Sequence, residues 1–183
     1  MVDIDKLQKE LENTSEDSIV LLETNPDSSL DTYIAVIKLL AKKNNKGIII
    51  SANRPYITLM KLYEQHNIDT KNMFILDLIS KNQNELLKAK NVIFLNNISA
   101  LTDIALSFND CLKTIPEKKF VVIDSITTML MHNQPYVFAR FIHSMLTIMR
   151  LNQIGGILIS IDMKTNKDVR AEIAQLCDKV IKL

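Results

Sequence analysis

Glycine is scarce in this chain: only Gly47, Gly155 and Gly156 occur in 183 residues. A phosphate-binding loop of the form G-x-x-x-x-G-K-[ST] needs its glycines because they let backbone N–H groups curl around the phosphates, while its lysine neutralises charge. None of the three glycines has that spacing or is followed by that lysine. The sequence therefore excludes an ordinary glycine-rich phosphate cradle.

Cysteine pairs, a charge excess and long apolar runs are also missing. Cys111 and Cys177 lie far apart and form no C-x-x-C pair, so neither a disulfide framework nor a zinc site is indicated. The 22 Lys and Arg residues nearly balance the 21 Asp and Glu residues, which disfavours nucleic acid as a partner. No apolar run of about 18 residues is present, and the acidic amino-terminal stretch is not typical of a signal peptide. We expect a soluble cytoplasmic protein that does not contact a membrane.

The chain does contain an alternation of short apolar runs and amphipathic segments. Its hydrophobic fraction of 47% and charged fraction of 23% are typical of a globular protein. The predicted strands are 19–22, 47–50, 73–78, 92–95, 120–124, 157–161 and 180–181. The predicted helices are 3–13, 28–43, 55–63, 101–112, 138–149 and 169–177. This alternation implies right-handed crossovers and a mostly parallel sheet covered on both faces, so the predicted fold class is α/β.

The amino-terminal segment is predicted to be a short amphipathic helix, and we divide the chain into this segment, 1–14, and one domain, 15–183. Ile4, Leu7 and Leu11 recur at helical spacing in it. Their apolar stripe is too short to form a stable helix alone, so it must be buried somewhere. It packs either on its own domain or on another protein chain.

One strand ends in an acid at the edge of the sheet where ligands bind. In a parallel sheet that edge lies beyond the carboxyl ends of the strands; the segments there are 23–29, 51–54, 124–128 and 162–165. FVVID has the form of a Walker B strand, in which four apolar residues precede an acid, here Asp124. Such an acid can hold the magnesium that bridges nucleotide phosphates. The alternative is that Asp124 hydrogen-bonds locally or caps a helix that begins near Ser125.

Six stretches carry a more specific signal: SIVLLETNPDSS, GIIISANRP, LTDIALSFNDCL, VVIDSI, VFARFIHSMLTIMR and IAQLCDKVIKL. Together they resemble the archaeal KaiC-like proteins of the RecA superfamily, over nearly everything after residue 15 and most closely from Leu101 onward. The resemblance implies a RecA-like (P-loop NTPase type) three-layer sandwich with a mostly parallel central sheet. It makes 19–22 the first strand and 120–124 the Walker B strand. We expect 19–22 and 120–123 to be adjacent and fully buried.

The phosphate loop is where the chain departs most from that family. The resemblance places TNPDSSLD, residues 24–31, on the loop motif. Leu30 then occupies the lysine position, and Asp31 occupies the position of the hydroxyl that ligates magnesium. Thr24 and Ser29 stand where the motif has glycine. The loop therefore has a degenerate Walker A sequence.

Two further features of the sequence argue against ATP hydrolysis: negative charge in the loop and the lack of a glutamate after the second strand. Asp27 and Asp31 lie where a triphosphate needs positive potential, a repulsion on the order of a few kcal/mol in a partly screened site. Active relatives present a glutamate after the second strand, and Ala-Asn-Arg-Pro, residues 52–55, supplies none. Arg54 is either an anion contact or a solvated arginine ahead of a helix. We expect no hydrolysis by this route and no anion wrapped by 25–29.

Two weaker signals favour structure over chemistry. His66, His132 and His143 have no spacing that indicates a shared metal ion. The methionines between residues 129 and 149 are expected to pack in the core, although methionine is also over-used at adaptable binding surfaces.

The predicted remnant of the nucleotide site comprises Pro26, Asp27, Ser28, Ser29, Leu30, Asp31, Asn53, Arg54, Asp124 and Ser125. Asp124 is the one candidate metal ligand; no residue is assigned a catalytic role, and no cofactor is expected. We interpret the chain as a degenerate, non-hydrolysing RecA/KaiC-like domain that regulates or scaffolds by binding a protein partner or a second copy, with polar residues such as Arg140 and Arg150 as candidate contacts. The alternative is an ATP-binding protein or weak ATPase that takes Mg-ATP in an altered loop. A recombinase-like nucleic-acid binder ranks last because the net charge is near neutral.

Overall fold

The computed structural model of the chain describes residues 4–43, 45–80, 89–95, 97–115, 118–162 and 166–183. Its strands are β1 (Ile19–Thr24), β2 (Lys46–Ser51), β3 (Met73–Asp77), β4 (Val92–Phe94), β5 (Lys119–Asp124), β6 (Gly156–Ile161) and β7 (Lys179–Lys182). Its helices are α1 (Ile4–Glu12), α2 (Ser29–Ala41), α3 (Tyr56–Gln65), α4 (Leu101–Thr114), α5 (Ile126–Met131), α6 (Pro135–Leu151) and α7 (Lys167–Gln175). A 3-10 turn, Pro26–Ser28, joins β1 to α2. Within these ranges, no helix is long and apolar enough to cross a membrane.

The helices begin where the local sequence favours a start. Pro135 occupies the first turn of α6, where its missing N–H is not needed. Pro55 directly precedes α3, and Ser125 precedes α5. Each predicted strand and helix has a counterpart within a few residues of its predicted limits, whereas α5 was foreseen only as a helix start near Ser125. Residue 3 of the first predicted helix and residues 163–165 of the predicted ligand edge lie outside the described residues.

All seven strands form one parallel sheet in the order β4-β3-β2-β5-β6-β1-β7. Each parallel neighbour is reached through a helix or loop that returns the chain to the amino edge, as parallel strands require. The α/β prediction is therefore confirmed. Both faces of the sheet are covered, which explains why the interior strands read as continuous apolar runs.

The predicted adjacency of 19–22 and 120–123 is wrong, because β6 lies between β1 and β5. Ile157 is the register partner of both Val20 and Val122. A continuous apolar run indicates burial on both faces and does not identify the neighbouring strand; both strands are in fact interior and buried. Two inter-strand spacings place β1 and β5 about 10 Å apart. The ends of these two strands therefore flank the end of β6.

Two hydrophobic cores hold the layers together, one on each face of the sheet. Phe108 and Phe138 belong to the core under α4, α5, α6 and α7, whereas Tyr33 and Leu59 belong to the core under α1, α2 and α3. The described methionines that are buried on the first face, as expected, are Met129, Met145 and Met149. Met131 is 60% exposed, so the core prediction is wrong for this residue.

Helix α1 packs on its own domain. Leu7 is fully buried in the core that also contains Ile37 and Ile181. Lys179 of β7 forms an ion pair with Glu10 (2.6 Å), and its ammonium group donates to the backbone oxygen of the same residue (2.9 Å). Of the two alternatives for the apolar stripe of the amino-terminal segment, packing on its own domain is the one observed, although Ile4 is half exposed.

We predict that Leu7→Ala lowers the free energy of unfolding by about 2–5 kcal/mol, because a cavity replaces a fully buried side chain. Ile4→Ala on the same helix serves as the control and should cost well under about 1 kcal/mol, since surface changes are small. Urea denaturation of the full chain measures both values. Equal losses for the two variants would contradict the packing of α1 described above.

Candidate functional site

Buried polar side chains stand at the carboxyl ends of five neighbouring strands. They are Thr24 of β1, Ser51 of β2, Asp77 of β3, Asp124 of β5 and Ser160 of β6. Buried polar groups require hydrogen-bond partners because their desolvation is otherwise uncompensated. The partners of each group therefore determine what this edge of the sheet can do.

Both carboxylate oxygens of Asp124 are engaged by side chains from the loop after β2. Oδ2 forms an ion pair with Nη1 of Arg54, and Oδ1 accepts a hydrogen bond from Nδ2 of Asn53 (2.8 Å). Burial raises the pKa of Asp124 above its ordinary value, and the charge and hydrogen bonds of Arg54 and Asn53 oppose that rise without cancelling it. The carboxylate is thus held by the protein itself.

The guanidinium of Arg54 is inserted between β5 and α2. Its side chain is only 16% exposed, and its central carbon lies 5.2 Å from the centre of the Tyr33 ring, in cation–π geometry. The backbone of the same residue is fixed as well, since Ser51 Oγ donates to Arg54 O (2.7 Å). Of the two sequence interpretations, a solvated arginine is wrong; Arg54 contacts an anion, and that anion is Asp124.

A pair of buried tyrosines supports this arginine. The rings of Tyr33 on α2 and Tyr63 on α3 are stacked with centroids 6.3 Å apart, and their hydroxyl groups share a hydrogen bond. Burial raises the pKa of both phenols well above the ordinary value, so both remain neutral. The aromatic ring that Arg54 contacts is therefore uncharged and is hydrogen-bonded to a second buried tyrosine.

Ser125 and Thr128 complete the polar cluster. Ser125 Oγ accepts from the backbone N of Thr128 (3.2 Å) and thereby caps α5. The Thr128 hydroxyl donates to Oδ1 of Asn53. Capping, which the sequence left open for Asp124, is thus performed by Ser125, and Asp124 is free to pair with Arg54.

Asp77 at the end of β3 has a structural role. Its Oδ2 accepts from the backbone N of Tyr56 at the start of α3 (2.7 Å). Its Oδ1 accepts from the backbone N atoms of Ile79 (2.8 Å) and Ser80 (3.0 Å). A carboxylate satisfied by three backbone donors fixes two loops and has no oxygen directed at a ligand.

The segment in the phosphate-loop position closes on itself. Asn25 Oδ1 accepts from both the backbone N (3.0 Å) and the hydroxyl (2.8 Å) of Ser28. Ser29 Oγ donates to Pro26 O (3.0 Å). Thr24 Oγ1 lies 3.2 Å from Ser28 Oγ. One form of anion-binding nest alternates right- and left-handed residues, and the described residues with positive φ are Asn67, Gln153 and Asn166, none of them here.

The outer side of this segment is acidic and apolar. Asp27 and Asp31 are exposed, and within the described part of the chain neither forms an ion pair. Leu30, which the resemblance puts in place of the motif's lysine, is 38% exposed. The polar hydroxyls point inward instead, where Thr32 Oγ1 lies 3.0 Å from Thr24 Oγ1.

The predicted site residues fall into two groups. Asn53, Arg54 and Asp124 are in direct contact, and Ser125 joins them through Thr128. The remaining predicted residues, Pro26, Asp27, Ser28, Ser29, Leu30 and Asp31, surround the start of α2 and make no hydrogen bond to the first group. Tyr33 connects α2 to Arg54.

Sequence reasoning missed Tyr33 and Tyr63, and it placed Thr128 at the ligand edge, within 124–128, without assigning it to the site. The tyrosines lie on the apolar faces of α2 and α3, where their spacing matches that of core residues, so only the fold reveals their contact with Arg54. Thr128 had a readable signal, since it follows the capping Ser125 by three positions.

The described residues contain no group of three or more His, Cys, Asp or Glu that could hold a metal ion. A cavity of about 540 Å³ lies between α1, α2 and the end of α3, and of the predicted site residues only Asp31 lines it. A second cavity, of about 460 Å³, lies beside the amino ends of β1, β5 and β6. Asp124, the one predicted metal ligand, has Oδ2 paired with Arg54 and Oδ1 hydrogen-bonded to Asn53.

We predict that Asp124→Asn lowers the free energy of unfolding by on the order of 3 kcal/mol, because it leaves the Arg54 guanidinium partly buried without a counter-charge. The double variant Asp124→Asn/Arg54→Met should be distinctly more stable than the single one, since both charges are then gone. Chemical denaturation measures the parent, the two single variants and the double variant. A double variant as unstable as the sum of its two single variants would contradict the ion pair.

We predict that the cost of Arg54→Met in unfolding free energy is larger at about pH 7.5 than at about pH 4.5. The change removes the charge that lowers the pKa of Asp124, so the folded-state pKa rises further. A carboxyl with a raised folded-state pKa contributes stability at low pH and loses it as pH rises through that pKa. Urea titrations across this range test the trend; the control is Arg54→Met introduced into Asp124→Asn, whose cost relative to Asp124→Asn alone should not change with pH. A flat penalty for Arg54→Met itself would be the contrary result.

Comparison with known proteins assigns the chain to a family. The family model of the KaiC ATPase matches residues 9–183. No curated protein matches the sequence.

Solved structures share the fold. The uncharacterized protein PH0321 from Pyrococcus horikoshii, crystallised in complex with an unknown peptide, superposes with a TM-score of 0.69 at 14% identity, over 98% of this chain and 82% of its own. The KaiC-like protein PH0186 from Pyrococcus horikoshii OT3 superposes with a TM-score of 0.62 at 15% identity, over 92% of this chain and 71% of its own. The RecA-like fold that the resemblance implied is therefore confirmed. The match of the family model over 9–183 establishes that this chain belongs to the KaiC ATPase family.

Proposed function

We propose that this chain is a non-hydrolysing member of the KaiC family that acts in the cytoplasm as a regulatory or scaffolding module by binding another protein chain. The observation that carries the proposal is the pairing of Asp124 with Arg54 and Asn53. In this pairing a protein cation stands where the family places a metal ion. The two free cysteines fit a reducing compartment.

Magnesium would have to displace Arg54 in order to take its place at Oδ2 of Asp124, and Oδ1 already accepts from Asn53. Mg²⁺ demands near-octahedral oxygen ligands and gives up its waters reluctantly. Displacement would also leave the largely buried guanidinium of Arg54 without a counter-charge. Breaking a buried ion pair from one side costs about 3–5 kcal/mol. A metal ion that is bound through one carboxylate alone does not recover that cost.

The phosphate-loop segment offers little to a nucleotide. The backbone N of Ser28, a donor that a phosphate would use, is already bound to Asn25 Oδ1 (3.0 Å). The exposed carboxylates of Asp27 and Asp31 repel a polyphosphate, whose binding depends on positive potential. Leu30 supplies no charge. These features support binding of a partner other than ATP.

A protein or peptide partner has support from a structural neighbour. PH0321 is described in complex with an unknown peptide, and its fold matches 98% of this chain. Because that protein is only 14% identical in sequence, the likeness indicates a scaffold on which peptide binding occurs and identifies no shared residues.

A second candidate function is nucleotide binding with weak ATPase activity. It is favoured by Asp124 itself, which stands at the carboxyl end of β5 where a Walker B acid would stand. In that case Arg54 would have to leave the carboxylate when Mg-ATP binds.

Calorimetric titration separates the two functions. We predict that neither Mg-ATP nor Mg-ADP at concentrations up to about 1 mM gives a saturable heat, because the loop supplies no positive charge and the acid is already paired. Phosphate release should likewise equal the background without protein. Saturable, magnesium-dependent binding by the parent that Asp124→Asn abolishes would establish the second candidate and overturn the first.

A further inference from the structure

The cavity of about 460 Å³ at the amino edge of the sheet, which we call the amino-edge cavity, has an apolar floor. Val20, Phe120 and Ile157 supply the floor from β1, β5 and β6, and all three are buried in the core on the α1 and α2 face. Leu40, in the last turn of α2, lines the same cavity. Small-molecule sites are concave, have volumes of about 300–1,000 Å³ and are lined mostly by apolar groups. The amino-edge cavity therefore has the size and the floor of a small-molecule site.

Two glycines allow the close contacts that shape this floor. A Cβ atom at Gly155 would lie 2.0 Å from the backbone oxygen of Glu16, so the loop before β1 packs directly on the backbone at the start of β6. A Cβ atom at Gly47 would lie 2.6 Å from Cζ of Phe120, so the ring of Phe120 packs directly on the backbone of β2. Only glycine permits such approaches. The loop before β1 and the Phe120 ring are thus held close to the sheet.

Four lysines line the amino-edge cavity as well: Lys42, Lys43, Lys118 and Lys119. Lys118 forms an ion pair with Glu16. Within the described residues, the other three lysines form no ion pair. Ammonium groups carry three donors each and no acceptor, so a ligand acceptor with negative charge suits them.

The carboxylates that line the cavity already have donors from the protein. Glu16 is paired with Lys118, and Glu12 accepts a hydrogen bond from Nε2 of Gln8 (2.7 Å). A hydrogen bond from Ser15 lowers the pKa of Asp17 below its ordinary value. The charge that is left for a ligand to neutralise is therefore positive.

We infer that the amino-edge cavity binds a small amphiphilic anion, that is, an apolar chain with an anionic head group. The chain packs on Val20, Phe120 and Ile157, and the head group lies among the three unpaired lysines. A buried floor suits a slender chain better than the flat surface of a folded partner.

This site is separate from the carboxyl edge on which the proposed function rests. Lys119 and Asp124 stand at opposite ends of β5, about 16 Å apart at the usual rise of a strand. The inference therefore goes beyond the proposed function and does not depend on it.

Binding of octanoate to the full chain tests the inference, with ligand-observed NMR as the measurement. Octanol and octyltrimethylammonium share the alkyl chain and serve as the uncharged and the cationic control. Octanoate should bind saturably with a dissociation constant of about 1 mM or lower, as a ligand of this size allows. Octanol should bind about tenfold more weakly, because it lacks the charge that the lysines attract. Octyltrimethylammonium should give no saturable binding.

Two variants assign the binding to the two parts of the cavity. Lys43→Glu should weaken octanoate about tenfold and leave octanol unchanged, because it reverses one charge near the head group. Leu40→Trp should abolish binding of both compounds, because the indole takes up space beside the floor.

Lys113→Glu is the matched control for the charge reversal. This lysine is exposed on α4, which packs on the opposite face of the sheet, and its reversal changes the net charge by the same amount as Lys43→Glu. It should leave octanoate binding unchanged. Circular dichroism of every variant verifies that the fold is retained.

Several results would overturn the inference. The site is refuted if the parent shows no saturable binding of octanoate, or if binding survives Leu40→Trp in a folded protein. Equal affinity for octanoate and octanol, or an affinity for octanoate that Lys43→Glu does not lower, refutes the anionic head group. The calorimetric result with Mg-ATP decides the proposed function separately, since it concerns the other edge of the sheet.

Discussion

The ion pair between Asp124 and Arg54 is the interaction on which the carboxyl edge depends. It joins the end of β5 to the loop after β2, and it is sheltered from solvent on the Asp124 side almost completely. A buried charge pair is tolerated only when further hydrogen bonds satisfy its members. Asn53 supplies one of these bonds, and the Tyr33 ring stabilises the cation on its other side. Asp124, Arg54 and Asn53 thus satisfy one another's charge and hydrogen bonds.

The internal pairing of these polar groups is the basis of the proposed function. In an ATPase of this architecture, charge at the strand ends must be left available so that a metal ion and phosphates can neutralise it. Here the neutralisation is internal, and the loop before α2 uses its own Asn25 and Ser28 to satisfy its donors. The fold is retained because its two hydrophobic cores do not depend on the ligand. The proposed function accordingly uses the surface of the domain and not the crevice.

The sequence predicted the fold class and every described strand, because apolar runs and their spacing report burial directly. It also placed Asp124 at the end of its strand and a loop between the first strand and the helix that follows. It did not predict that β6 separates β1 from β5, since strand order depends on long-range pairing. For the same reason the partner of Arg54 was not predictable: 70 residues separate it from Asp124 along the chain. The exposure of Met131 was missed because spacing cannot tell a helix end from its middle.

The stacked tyrosines give the site an optical signature. The chain has four tyrosines and no tryptophan, so its near-ultraviolet spectrum comes largely from phenol rings. Two of the four, Tyr33 and Tyr63, share a hydrogen bond, and Arg54 lies over one of them. Exciton coupling between fixed rings and the field of a nearby cation both alter tyrosine absorption and circular dichroism. The near-ultraviolet absorption and circular dichroism of these tyrosines therefore report on the carboxyl edge without a label. Any event that moves Arg54 away from the Tyr33 ring changes these spectra.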